Sequence, residues 1–149
     1  MRLAVLLSVA ALALVATAPA SAGAGPGATF AASQRARLTH DWALYWDLLH
    51  PGQRRFIGRD RFVGCLRRQH SAVARPESIR VLAVQRVRTR VAGVTKLLVA
   101  GRSVRIRVNF GRRAPSQLLT GIVVRVGNRW YWITPAASAR QFLRLNFCA

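Results

Sequence analysis

Acidic side chains are scarce in this chain. Asp41, Asp47, Asp60 and Glu77 are the whole set, against 24 lysines and arginines and a formal charge of +20. Histidine occurs three times and cysteine twice. So few acids, imidazoles and thiols leave little material for a metal or catalytic cluster. Two cysteines exclude a disulfide-dense mini-protein and a four-cysteine zinc site. The sequence has no G-x-S-x-G, H-E-x-x-H, C-x-x-C, P-loop or dinucleotide-binding fingerprint, and no metal or cofactor is expected. What remains is ample apolar material: 52% of 149 residues are hydrophobic, with 4 Trp, 6 Phe and 2 Tyr. That excludes intrinsic disorder despite the charge, and the length suits one domain.

The one long apolar run, Leu3 to Ala16, follows Arg2 and leads into Pro19-Ala20-Ser21-Ala22. This is the pattern of a signal peptide over 1–22 with an A-x-A cleavage site. The run is short for a membrane span, and no later stretch suits one. The expected destination is extracellular or the cell envelope. Residues 23–28 (GAGPGA) read as a flexible lead-in and 29–149 as the folded domain. An oxidising destination makes Cys65–Cys148 the simplest disulfide. It would close a loop of roughly eighty residues, worth about 4–5 kcal/mol in the loop-entropy picture.

Between Ala31 and Leu49, apolar residues at Leu38, Trp42, Tyr45 or Trp46, and Leu49 mark one helical face, and His50-Pro51-Gly52 ends the helix. A second helix fits Arg59 to Gln69, with Gly58 as N-cap, Ile57 and Phe62 as a hydrophobic staple, Asp60 in the first turn and Arg67 and Arg68 in the last. Phe62, Cys65, Leu66 and Gln69 share a side, so Cys65 is expected to face inward.

After Pro76 the period becomes two. Arg80–Val91 and Arg102–Phe110 alternate apolar residues with arginines, and Val94–Ala100 is strand-like, with Gly101 as a bulge or bend. Leu118–Val126 and Arg129–Thr134 flank Gly127-Asn128, a two-residue hairpin signal. That turn sets Val126 opposite Arg129, Arg125 opposite Trp130, Val124 opposite Tyr131, Val123 opposite Trp132 and Ile122 opposite Ile133. Both faces of the hairpin are largely apolar, so it must be central or covered twice. Left uncovered, it would call for a homodimer. Arg125 is placed to sit over Trp130. The tail from Pro135 to Ala149 is expected to pack back and deliver Cys148. The fold class is α+β: two or three N-terminal helices on an antiparallel sheet of about four strands.

A tryptophan-bearing first helix (D-W-A-L-Y-W-D-L-L-H-P), a short second helix ending F-V-G-C-L, long strands and the closing hairpin V-G-N-R-W-Y-W-I together resemble small exported members of the nuclear transport factor 2-like superfamily. The resemblance covers Thr29 to Cys148. It implies a strongly curved, cone-shaped sheet wrapped around helices, and it leaves function open: the superfamily holds isomerases, cyclases and many non-enzymatic binders.

Three functions are in play. The leading one is an exported, non-enzymatic domain that binds a small apolar ligand or a protein partner, its pocket lined by Trp42, Trp130 and Trp132; each of these could instead be plain core. The second is a small-molecule isomerase or cyclase. It would use Asp41 with His40 or Tyr45, the nearest analogues of the carboxylate that the superfamily's enzymes place inside the cone. Against it stands an ordinary pairing of Asp41 with Arg37 or Tyr45 one turn away. The third is a polyanion binder, contacting an anionic envelope polymer through Arg86, Arg88 and Arg90 with Arg105 and Arg107, or with these arginines merely solvated. His50 is expected to serve the C-terminal end of its helix, and His70 to sit in a solvated loop.

Overall fold

The structure is a computed structural model that describes residues 24–56, 58–69 and 75–136. The segment expected to be a signal peptide, Ile57 of the expected staple, His70 and the tail carrying Cys148 lie outside the described residues. Four helices precede a four-stranded antiparallel sheet: α1 (Pro26–Leu38), α2 (Trp42–Asp47), α3 (Pro51–Arg54), α4 (Arg59–Gln69), β1 (Ser78–Thr89), β2 (Val99–Asn109), β3 (Gln117–Val126) and β4 (Arg129–Ile133). The strands lie in chain order, β1-β2-β3-β4. The α+β class expected from the sequence is observed.

The first helix corrects the sequence reading at both ends. It begins at Pro26, so residues 26–28 form its first turn and are not a lead-in. Proline at the start of a helix is pre-set in φ and gives up no bond. Gly27 is buried because it lies against the Val81 and Val84 methyls, where a Cβ would crowd Val81 at 3.1 Å. The single helix expected from Ala31 to Leu49 is broken at Thr39-His40-Asp41. His40 is left-handed (φ 59°), the Asp41 amide donates back to the Ala36 carbonyl at 2.8 Å, and the His40 amide donates to Arg37. This is a Schellman-type stop with histidine where glycine is usual. Asp41 then restarts the helix, its Oδ1 accepting from the Leu44 amide at 3.0 Å. Hydrophobic spacing runs through the break and hides it.

His50 is also corrected. It opens α3: its Nδ1 accepts from the Gly52 amide at 3.0 Å, a role open only to an unprotonated nitrogen. Burial, and secondarily the Arg54 charge, push its pKa below the usual 6.5. The folded chain therefore takes up this proton less readily than the unfolded one. The stabilisation is complete above pH 6.5 and is lost as pH falls through the lowered folded value. We expect the thermal midpoint to drop as pH falls below 6.5 toward the lowered folded value, and His50→Asn, which keeps an acceptor, to flatten that part of the profile.

α4 spans the expected residues, with Phe62, Cys65 and Leu66 buried; Gln69 at its end is exposed. The final hairpin has the expected register throughout, from Ile122↔Ile133 to Val126↔Arg129, turning at Gly127 with φ +60°. Val94–Leu98, expected in a strand, is instead the turn between β1 and β2. Gly101 is paired on both sides within β2, so it is no bend. The irregularity lies in β1, between Val81 and Ala83.

One face of the sheet carries the main core. Phe30 and Leu38 of α1 and Leu49 pack on Val104, Ile106, Val108, Phe110, Val123 and Trp132. Trp42, Phe62 and Leu66 join α2 to α4 in a second cluster. Val91, Val124 and Ile133 form a third on the sheet's other face. The hairpin is thus buried on both faces at Val123, Val124, Trp132 and Ile133, while Leu118 and Val126 toward its two ends are exposed. The outer rim of β4 is closed by backbone bonds: His50 N donates to Trp132 O and Trp132 N to Leu48 O. The buried Gln53 side chain completes that corner. It accepts from Thr134 N, and its amide donates to Thr134 O and to Ala92 O.

Candidate ligand-binding cleft

Phe30, Gln34 and Arg37 recur at offsets of four and three, so they line one side of α1. That side borders a cleft of about 710 Å³, bounded further by Tyr45, Trp132 and the ends of β3 and β4. The ladder with β4 begins at Ile122, so the stretch of β3 from Gln117 to Gly121 runs past it, and Leu119, Thr120 and Gly121 line the cleft there. Thr89 and Arg90, leaving β1, line it too.

Each polar group on the α1 side is fixed. Ser33 Oγ donates to Phe30 O at 2.8 Å, and Gln34 Nε2 donates to Ser33 Oγ at 3.4 Å. Gln34 Oε1 accepts from Arg37 Nε at 3.0 Å, which orients the guanidinium. Tyr45 stacks on Trp132 with ring centroids 4.5 Å apart and a tilt of 14°, and Trp132 Nε1 donates to Tyr45 O at 3.0 Å. Burial pushes the Tyr45 phenol up to about 12, against the opposing pull of Arg37, so it stays protonated as a donor. The cleft therefore joins apolar walls to two arginines and a neutral phenol, with no carboxylate among its lining residues.

Of the pocket tryptophans expected from the sequence, Trp132 lines the cleft. Trp42 is buried in the α2–α4 cluster, and Trp130 packs at the margin of the main core. The guanidinium over Trp130 is that of Arg102, 5.7 Å from the ring centroid, where the sequence pointed to Arg125. Of the acid–base trio, only Tyr45 reaches the cleft. Asp41 is exposed and caps α2; His40 stacks on Trp42 at 5.1 Å. A helix beginning at Ala31 leaves out Phe30, and Gln34 and Arg37 are polar positions that carry no mark of a cleft in the sequence.

The arginine stripe is split. Facing partners fix the sides: Arg86↔Arg102 lies with Val84↔Val104 on the helix-bearing face, while Ala83↔Arg105 and Arg80↔Arg107 lie on the other. The irregularity at Leu82 causes this, since one extra residue reverses the alternation. Arg86 and Arg88 therefore do not share a face with Arg105 and Arg107. Arg90 stands beyond the ladder, in the turn.

Charge is segregated as well. From Ser78 to the C-terminus the sequence has no Asp or Glu, so every strand carries only cations. Three of the four acids lie with the helices: Asp41 caps α2, Asp47 faces Arg59 at 3.7 Å, and Asp60 is in the first turn of α4; Glu77 immediately precedes β1, its amide donating to Asn109 O. Among the described residues, no group of three potential metal ligands comes together, and no helix is long and apolar enough to cross a membrane. Cys65 is fully buried on the inner side of α4. No family model matches the chain, and no curated protein or solved structure matches it.

Proposed function

We propose that this is an exported, non-enzymatic binding domain whose cleft takes a small molecule with an apolar body and an anionic end. The observation that carries this is the lining: Phe30, Tyr45, Leu119, Ile122 and Trp132 beside Arg37 and Arg90, without an acid. A volume of about 710 Å³ falls in the range of small-molecule sites. The apolar walls would take the body, and Arg37, held by Gln34, would take a carboxylate, the planar anion its fork matches. Membership of the nuclear transport factor 2-like superfamily belongs to the same proposal, supported by helices preceding an antiparallel sheet and by a cleft between them; export rests on the apolar run and small-residue cleavage pattern of residues 1–22.

The test uses dodecanoate and dodecanol as probes in titration calorimetry. We expect the carboxylate to bind more tightly than the alcohol. Arg37→Gln should weaken the carboxylate about tenfold and leave the alcohol unchanged. Equal affinity for both probes, or none, would remove the proposal. The isomerase reading finds less support, because Asp41 is exposed and already engaged as a cap.

The Cys65–Cys148 disulfide is proposed on the inward placement of Cys65. Intact mass of the exported protein should be lower by two hydrogens before reduction than after. A mass unchanged by reductant would refute the bond.

A further inference from the structure

Leucines seldom stand far into solvent side by side, yet Leu97 is 75% exposed and Leu98 48%. Both sit in the turn that joins β1 to β2. The turn is held in place. Val94 N and Thr95 N donate to Val91 O, and Leu97 N donates to Thr95 Oγ1. Gln53 Nε2 donates to Ala92 O, and Arg88 Nη2 donates to Leu98 O at 3.1 Å. Val91 is buried in the third cluster, and the Val94 methyls lie against Gly52 of α3. A fixed scaffold therefore presents two leucines on the arm of the turn that leads into β2.

The surroundings of the two leucines are cationic. Lys96 is adjacent in the chain, Arg90 stands at the other arm of the turn, and Arg88 and Arg86 follow down β1, all exposed. No acid lies in the turn or in any strand. An apolar point ringed by cations complements one common surface, a bilayer with anionic headgroups. Its acyl region takes leucine, and its phosphates attract lysine and arginine.

We infer that the β1–β2 turn docks on anionic lipid, with Leu97 and Leu98 entering the acyl boundary and Lys96, Arg88 and Arg90 contacting headgroups. A soluble polyanion would engage the cations and leave the leucines in water, so it accounts for half of the feature. This inference does not depend on the cleft's ligand.

The test is co-sedimentation of the exported protein, its N-terminus defined by intact mass, with vesicles of phosphatidylcholine alone or with phosphatidylglycerol. The protein should sediment with the mixed vesicles and hardly with neutral ones. Leu97→Ser/Leu98→Ser keeps the charge and should weaken mixed-vesicle binding at least tenfold on the order of area lost, with heparin retention unaltered. Lys96→Gln should weaken vesicle binding roughly fivefold. Leu118→Ser removes an exposed leucine from the far end of the sheet and should change nothing. Circular dichroism and thermal unfolding check that each variant folds; Leu97→Ser alone replaces the double variant if that one melts early. The inference is overturned if the wild type ignores mixed vesicles, or if the double variant binds them as well as the wild type. It is equally overturned if the leucines prove to hold two copies together, seen as a change from dimer to monomer with vesicle binding intact.

Discussion

Replacing Trp132 with alanine should cost about 3–5 kcal/mol. Trp132 belongs to the main core, opposite Val123, and is 6% exposed. Its ring stacks on Tyr45 and its indole N–H reaches the Tyr45 carbonyl. Its backbone joins β4 to Leu48 and His50. Truncation thus opens a void, unpairs the Tyr45 carbonyl and frees the ring that bounds the cleft. Against a usual total of about 5–15 kcal/mol, such a loss leaves a marginal fold. Urea unfolding measures it. Trp132→Phe keeps an aromatic ring but loses the N–H donor, and should cost roughly half as much. A loss under about 1 kcal/mol for the alanine variant would show that the helices and β4 are held together elsewhere.

Gly121→Val should cost about 2–3 kcal/mol, for the opposite reason. A Cβ at this position would land on the Phe30 ring. Phe30 itself is buried, 4% exposed, between α1 and the sheet, and cannot swing away without opening the core. The ring's nearest open space is the cleft, whose lining includes both residues. The substitution should therefore lower stability and also block probe binding. Phe30→Ala is destabilising alone, yet in combination with Gly121→Val the costs should fall short of their sum by about 1 kcal/mol or more, because each relieves the other. Urea unfolding of the four-member cycle reads the coupling. Strict additivity would mean that the two sites do not compete for the same volume.

Much of the fold was legible because its signals are local. The final hairpin needed only Gly127-Asn128 and the alternation around it, and every pairing follows from that turn. α4 carried its dipole-matched charges at both ends. The failures share a cause: local signals were overridden by contacts distant in sequence. Glycine at position 27 suggested looseness, whereas β1 demands a small residue there. His40 gives no warning that it will take a left-handed turn. In the turn between β1 and β2, Val94, Leu97 and Leu98 look like strand; Gln53, far away in the chain, holds that turn through Ala92. The cleft was only partly legible. Tyr45 and Trp132 stood out as aromatics, but Arg37 was one arginine among 23 until the helix placed it beside Gln34.

The extra residue at Leu82 makes chain length itself a carrier of information in β1. Two partial alternations, out of phase, are spliced there. Ile79 and Val81 look toward the helices on one side of the splice, as do Val84, Arg86 and Arg88 on the other. Excising that lone residue would restore an unbroken rhythm and turn one of the two arms inside out. An insertion or deletion here is consequently felt along a whole strand, whereas a substitution at the same place is felt by one side chain.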